Sequence, residues 1–413
     1  MLRYLKLENF KNFRDATLPM GPFTVLVGAN ASGKSNLRDA LRVLHGISRG
    51  YTAAETLGEK WIEGGVLQWR GIRGGTREAA FHGVSSFALS LGFDFEEEGS
   101  LQEACYRIEV HLGSARNPPS FTAERLTVSG ETNDVFRVEA APAPLREGGP
   151  IPAMLYIAAR HPSVISERFA EGIPPLSRKL IHSTLQALES IRFLDLLPDA
   201  MRIPSLPGQT ILGDRGENLS SVLQAICQSE STRSSLVEWV RALTPLDVVD
   251  FEFIPDQIGR ILVTLVEQGG RRVSAYSASD GTLRFLAIAA ALLGPHPAHF
   301  YFFEELENGI HPTRLHLLTS LIERKVRQGS IQIVASSHSP QLLSLLSPES
   351  FEHASLIYRP EGKPDARIRR ILDIPEAARV VREQAPSSLH ASGWFEDAIA
   401  FAEGSEPQPE SAP

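Results

Sequence analysis

Two cysteines, Cys105 and Cys227, are all that 413 residues carry, and they stand far apart in the sequence. That count excludes a disulfide framework, and the lack of histidine pairs near either thiol excludes a zinc site. No apolar run approaches the roughly 18–20 residues needed to cross a bilayer, so no membrane span is expected. The opening residues lack the basic-then-apolar texture of a secretory leader, which makes the cytoplasm the expected compartment. Basic charge is not in excess: 41 Lys and Arg against 49 Asp and Glu leave a net charge of −8. A surface coated for nucleic acid is therefore not expected, although a local patch is compatible with that sum. The densest basic cluster, Arg70, Arg73 and Arg77, lies in a glycine-rich segment and reads first as an exposed loop.

Against these absences stands one complete motif. Gly28-Ala29-Asn30-Ala31-Ser32-Gly33-Lys34-Ser35 is a Gly-x-x-x-x-Gly-Lys-Ser phosphate loop that follows the apolar run Phe23 to Val27 and precedes a helical stretch, Asn36 to His45. Its glycines let successive backbone N–H groups face the β-phosphate, Lys34 brings a point charge to the β and γ oxygens, and Ser35 offers a hydroxyl to Mg²⁺. The helix N-terminus adds a favourable dipole. Mg-ATP is the expected ligand, with Asn30, Gly33, Lys34, Ser35 and Asn36 as contact candidates. Lys11 and Asn12 are candidates from the first turn, although charged turns near an N-terminus are usually just solvated.

A phosphate loop alone does not separate kinases, GTPases, AAA+ machines and ABC-type ATPases. The second half of the chain narrows the choice. His299 to Phe303 reads as a buried strand ending in Glu304-Glu305, which puts one carboxylate near the metal and a second beside the attacking water. The first acid of such a pair is usually Asp; Glu304 has the longer arm and reaches Mg²⁺ through a water. Leu306 to Pro312 follows, then a helical stretch, then a second buried strand, Ile331 to Ala335, running into Ser336-Ser337-His338-Ser339-Pro340. Upstream, Ala278 to Thr282 precedes the apolar helix Leu283 to Leu293.

In this order the motifs resemble the ABC-type ATPase heads of the RecF, SMC and OLD group, and especially the stand-alone ATPases of prokaryotic antiphage systems. The opening Leu2 to Phe13 is similar to that group's first strand and adenine-side turn. The resemblance implies that Ser279 and Gly281 form the signature touching the γ-phosphate across a dimer. A serine there is also a good N-cap, and the two roles can coexist. It further implies that Glu305 polarises water, that Asn308 lies in the loop joining two active sites, and that His338 is the switch histidine. The glutamine that usually couples nucleotide to the rest of such a protein finds one candidate, Gln68, a metal candidate beside Ser35 and Glu304 that reads equally as a polar strand-end residue.

The expected fold class is α/β, a P-loop NTPase of ABC-ATPase type with a mixed-sheet core, an antiparallel β subdomain and a helical lid insertion. Residues 1–150 hold the phosphate loop and alternating strands at Ser86 to Leu91, Tyr106 to Leu112 and Arg125 to Val128. Residues 151–245 read as the lid, with helices over Leu176 to Phe193, Asn218 to Cys227 and Ser234 to Leu243. No sustained a/d heptads support a coiled-coil arm there. Residues 246–372 return to strands and complete the head, and 373–413 hold a helix and a tail, Glu403 to Pro413, expected to be disordered. The short stretch after His338 leaves no room for the TOPRIM domain of OLD-type nucleases, so no intrinsic nuclease is expected. The partners implied are further copies, as an ATP-sandwich homodimer or a higher homo-oligomer built from such dimers, and a separate effector chain of nuclease or TOPRIM-like kind, with antiphage defence as the setting. A RecF-like DNA-maintenance ATPase is the alternative, with DNA as partner, and a transporter's nucleotide-binding subunit comes third.

Overall fold

The computed structural model describes residues 1–97, 99–114, 117–128, 136–139, 175–244 and 246–405. They form two compact units, and the chain passes between them repeatedly. One unit comprises Met1–Gly21, Gly28–Ile191 and Ser355–Arg370; the other comprises Pro22–Val27, Arg192–Ala354 and Ile371–Pro413. This partition divides the stretch read as a lid between Ile191 and Arg192, and residues 151–174 of that stretch lie outside the described residues.

The first unit is built on a six-stranded sheet in the order Phe13–Pro19, Leu2–Phe10, Ser86–Glu97, Ser100–His111, Ser120–Val128, Phe136–Glu139, each neighbouring pair antiparallel. Alternation dictates this: Ala104, Tyr106, Ile108 and Val110 are buried while the residues between them are not. A one-sided apolar face of this kind belongs to an antiparallel sheet with one wet side. The expected strands are present and longer than the sequence pattern alone delimits. A short hairpin, Lys60–Ile62 and Val66–Trp69, turns at Gly64 and Gly65, whose φ values of 85° and 73° suit glycine.

In the second unit the strands Ile191–Leu194, Phe300–Phe303, Gln332–Ser336 and Phe23–Val27 are neighbours in that order, and the last three are parallel. Every residue of Phe23–Val27, Phe300–Phe303 and Gln332–Ser336 is buried. Continuous rather than alternating apolar runs are what parallel strands covered on both faces require. The helix Asp280–Leu293 is apolar nearly all round and buried accordingly. Tyr301 fastens the acidic strand to it, donating its hydroxyl to the Ala291 carbonyl at 2.7 Å; burial pushes the Tyr301 phenol up to about 12. A separate antiparallel sheet is formed by Val248–Pro255, Ile261–Glu267 and Arg272–Ser274.

Two expectations need correction. The helix read over Leu176 to Phe193 is Pro175–Glu189, and Ile191–Leu194 is a strand beside Phe300–Phe303. Ser190 ends the helix, its amide bonding the Gln186 carbonyl and its hydroxyl the Ala187 carbonyl, after which the apolar residues Ile191, Phe193 and Leu194 are free to pack in a sheet. Glu403 to Ser405, read as the start of a disordered tail, instead finish the helix Trp394–Ser405; the rest of that reading, residues 406–413, lies outside the described residues. Among the described residues no helix is long and apolar enough to cross a membrane.

Candidate active site

The phosphate loop belongs to the first unit. Its shape is imposed by backbone that only glycine tolerates. Gly28 has φ 143°, and a Cβ there would lie 2.1 Å from the Ile357 carbonyl oxygen; Gly33 has φ 123°, and a Cβ would meet Asn12 Nδ2 at 2.8 Å. Asn12 is the strut of this turn. Its Nδ2 donates to the Ser32 carbonyl at 2.9 Å, and its Oδ1 accepts from Asn36 Nδ2 at 2.7 Å. The helix Lys34–Ser48 begins at Gly33 with no side chain capping it, and within the turn the Asn36 amide bonds the Gly33 carbonyl at 2.9 Å.

Lys34 is 4% exposed and donates through Nζ to the carbonyls of Gly28 and Ala29, which hold the ammonium within the loop. Ser32 Oγ is buried in the same loop with no hydrogen-bond partner. An orphaned hydroxyl, a helix start without a side-chain cap and a buried cation together fit the oxygens of a polyphosphate. Ser35 is half-buried and Asn30 exposed. Lys11 is engaged elsewhere: its Nζ donates to Asp39 Oδ2 at 2.6 Å and to the Arg73 carbonyl at 2.8 Å. Burial lowers the Lys11 pKa and Asp39 opposes the shift. Gln68 sits exposed in the Val66–Trp69 strand of the glycine-turned hairpin.

The second unit carries the carboxylates. Glu304 and Glu305 follow the Phe300–Phe303 strand; Glu304 N donates to the Leu194 carbonyl at 3.1 Å and Glu305 N to Ser336 Oγ at 3.1 Å. Glu305 adopts φ 50°, a left-handed pose that costs a non-glycine residue on the order of 1 kcal/mol. The turn directs its carboxylate toward two other predicted residues. Asn308 Nδ2 donates to Glu305 Oε2 at 3.0 Å, and His338 Nε2 stands 3.7 Å from Glu305 Oε1, with side-chain exposures of 38% for the histidine and 49% for the glutamate. A carboxylate oriented by one donor, near an imidazole and open to water, is suited to hold and polarise a water molecule.

Ser279 caps the helix Asp280–Leu293, accepting from Thr282 N at 3.2 Å. The capping reading is present in the structure and leaves the γ-phosphate role untouched. Gly281 is needed within the subunit, since a Cβ there would come within 2.2 Å of the Gly309 carbonyl oxygen. Gly281→Ala is accordingly expected to destabilise the chain by about 1–3 kcal/mol through overpacking, lowering the melting temperature with no nucleotide present. An unchanged melting curve would show that the Gly309 loop yields freely.

Three residues of these surroundings carry no motif signal. Arg202 bridges to the helix start, donating through Nη2 to Asp280 Oδ1 at 2.6 Å and to the Ala278 carbonyl at 3.1 Å. Asp39, fully buried, collects Lys11, Arg38 and Arg73. Glu307 accepts two backbone amides of the histidine turn. Each acts on a partner distant in sequence, so no local pattern marks it.

A phosphate loop leading from a buried parallel strand, an acid pair ending the next strand but one, a histidine ending the strand between them and a serine-capped helix define a P-loop ATPase of the ABC type with an SMC-head-like fold. The chain belongs to the family described as "AAA domain, putative AbiEii toxin, Type IV TA system", which matches residues 23–344. It is similar to the OLD nuclease of Thermus scotoductus, 29% identical over 155 residues that make up 37% of this chain and 22% of that protein. It is also similar to the DNA replication and repair protein RecF of Brucella abortus, 50% identical over 44 residues, 10% of this chain and 12% of RecF. The chain thus spans about a fifth or less of the length of these relatives. Among solved structures, an SMC head bound to the C-winged helix domain of ScpA superposes with a TM-score of 0.51 at 15% identity, covering 89% of this chain and 97% of that one. An Smc head with an extended coiled coil, bound to the C-terminal domain of ScpA derived from Pyrococcus furiosus, gives 0.50 at 13% identity, covering 92% and 98%. The chain is an ABC-type ATPase of the RecF/SMC/OLD group.

Proposed function

We propose that the protein hydrolyses Mg-ATP, that two copies close around two nucleotides, and that the closed state gates a separate effector chain in antiphage defence. The observation that carries the hydrolytic part is the Glu305 carboxylate, fixed by Asn308 and half-exposed at the end of a buried strand. In this reading Lys34 and the first-turn amides of its helix bind the β and γ oxygens, with Asn30, Gly33 and Asn36 shaping the loop. Ser35 and Glu304 are the residues that would hold Mg²⁺, an ion that takes few protein ligands beside phosphate oxygens. When bound, the ion adds positive charge at the oxygens where negative charge develops. Glu305 orients the water for in-line attack, His338 contacts the γ-phosphate, and Ser279 and Gly281 meet it from the partner copy. Catalysis is then positioning and electrostatics. The toxin wording of the family and the likeness to an OLD nuclease favour an effector-linked role over a housekeeping one.

The identity shared with RecF favours a second reading, a DNA-maintenance ATPase. Steady-state hydrolysis with and without double-stranded DNA, with Glu305→Gln as the blank, separates the two. Slow turnover indifferent to DNA is the expected result. Stimulation by DNA that fades as salt is raised from 50 to 200 mM would instead support the DNA reading.

A further inference from the structure

Glu307 lies two residues past Glu305, in the loop that leaves the acidic strand. Its Oε1 accepts from His338 N at 2.7 Å and from Ser339 N at 3.0 Å; Ser339 N is shared with Ser337 Oγ, also at 3.0 Å. Its other oxygen, Oε2, is buried without a partner. One oxygen that takes two consecutive amides holds that turn of backbone at both peptides. The imidazole of His338 has no comparable tie, because 3.7 Å from Nε2 to Glu305 Oε1 is too long for a hydrogen bond. Where the ring stands is therefore set by its backbone. Two other bonds lace the acidic loop to the histidine strand, Glu305 N to Ser336 Oγ and Leu306 N to the Ser336 carbonyl, both at 3.1 Å. Both stop at Ser336, and the Glu307 carboxylate reaches the residue that bears the imidazole.

We infer that Glu307 is a positioning residue for His338: it clamps the histidine turn to the acidic loop, so that the imidazole and the Glu305 carboxylate face the reacting atoms in fixed register. The inference rests on the hydrolytic roles proposed for Glu305 and His338. Glu307 itself touches no substrate atom. It acts through the His338 peptide.

The test uses the full chain with Glu307→Ala, Glu307→Gln, Glu307→Asp, His338→Ala and the Glu307→Ala/His338→Ala double variant. The readouts are kcat, Kd for a fluorescent ATP analogue and melting temperature. Glutamine keeps an oxygen in the place of Oε1 and sets its NH₂ where Oε2 bonds nothing, so Glu307→Gln should keep kcat within about 3-fold. Alanine removes the acceptor and aspartate withdraws it by one methylene. Both should lose at least about 10-fold in kcat, with Kd within about 3-fold, since misplacing a group by about 1 Å can cost 100-fold in rate. The double variant should be no slower than His338→Ala, because both changes act through one imidazole. Should alanine fail to fold, the contrast between glutamine and aspartate decides. Wild-type kcat in Glu307→Asp, glutamine falling as far as aspartate, or full multiplication of losses in the double variant overturns the inference. If His338→Ala is slow while Glu307→Asp is not, only the clamp fails. If His338→Ala runs at the wild-type rate, the histidine's role fails and the clamp with it.

Discussion

Lys34→Ala should weaken ATP binding by on the order of 100-fold while leaving the chain folded, as read by titration calorimetry beside a melting curve. The magnitude follows from removing a charged donor from phosphate oxygens, worth about 1.5–3 kcal/mol per hydrogen bond. Burial sharpens the effect, because a cation 4% exposed acts through less screening than one in water. Lys34 is held by the Gly28 and Ala29 carbonyls, so little ordering remains to be lost when it meets a ligand. Lys34→Arg is not a rescue: a planar fork with five donors does not fit a cradle whose walls at Gly28 and Gly33 leave no room for even a Cβ. Binding within about 3-fold of wild type in the alanine variant would remove the loop from the site.

Glu305→Gln should bind ATP normally and lose on the order of 10²–10⁴ in kcat, the range for deleting a general base. The change conserves shape and keeps an oxygen for Asn308, which now donates to Oε2; what it removes is the negative charge that polarises water. A fall in kcat with Kd unchanged is the mark of an interaction made in the transition state. Accumulation of a closed dimer in this variant with ATP, seen by light scattering, would extend the result to the proposed gating. Hydrolysis at the wild-type rate would falsify the assignment of Glu305. Glu304→Gln makes a useful contrast, because its loss should shrink as Mg²⁺ is raised, whereas that of Glu305→Gln should not.

Much of this was readable in one dimension because it is local. Four buried residues before Glu304-Glu305 and five before Ser336-Ser337-His338 announce parallel strands whether or not their neighbours are known, and a glycine loop between strand and helix has few other uses. Ser279 before an apolar helix is equally plain. What escaped was the backbone pose of Glu305, since φ 50° leaves no trace in composition. The long-range partners escaped as well: Asn12 bracing Ser32 and Asn36, Asp39 holding Lys11, Arg202 reaching Asp280 and Glu307 reaching His338. Lys11 illustrates the limit. A lysine beside a phosphate loop invites a nucleotide role, and only the fold reveals a buried aspartate already in contact with its ammonium. The strand at Ile191–Leu194 was hidden for a related reason, since four residues after a helix carry too short a pattern to declare a change of period.

The pairing of Phe23–Val27 with Gln332–Ser336 also bears on how the protein is made. At about 5–20 residues per second of synthesis, the strand that leads into the phosphate loop leaves the ribosome some tens of seconds before its parallel neighbour exists. Throughout that interval Phe-Thr-Val-Leu-Val is a sticky, β-prone ribbon with nothing to cover it. Yield in a foreign host should therefore depend on growth temperature and on holding chaperones more than on the stability of the finished chain.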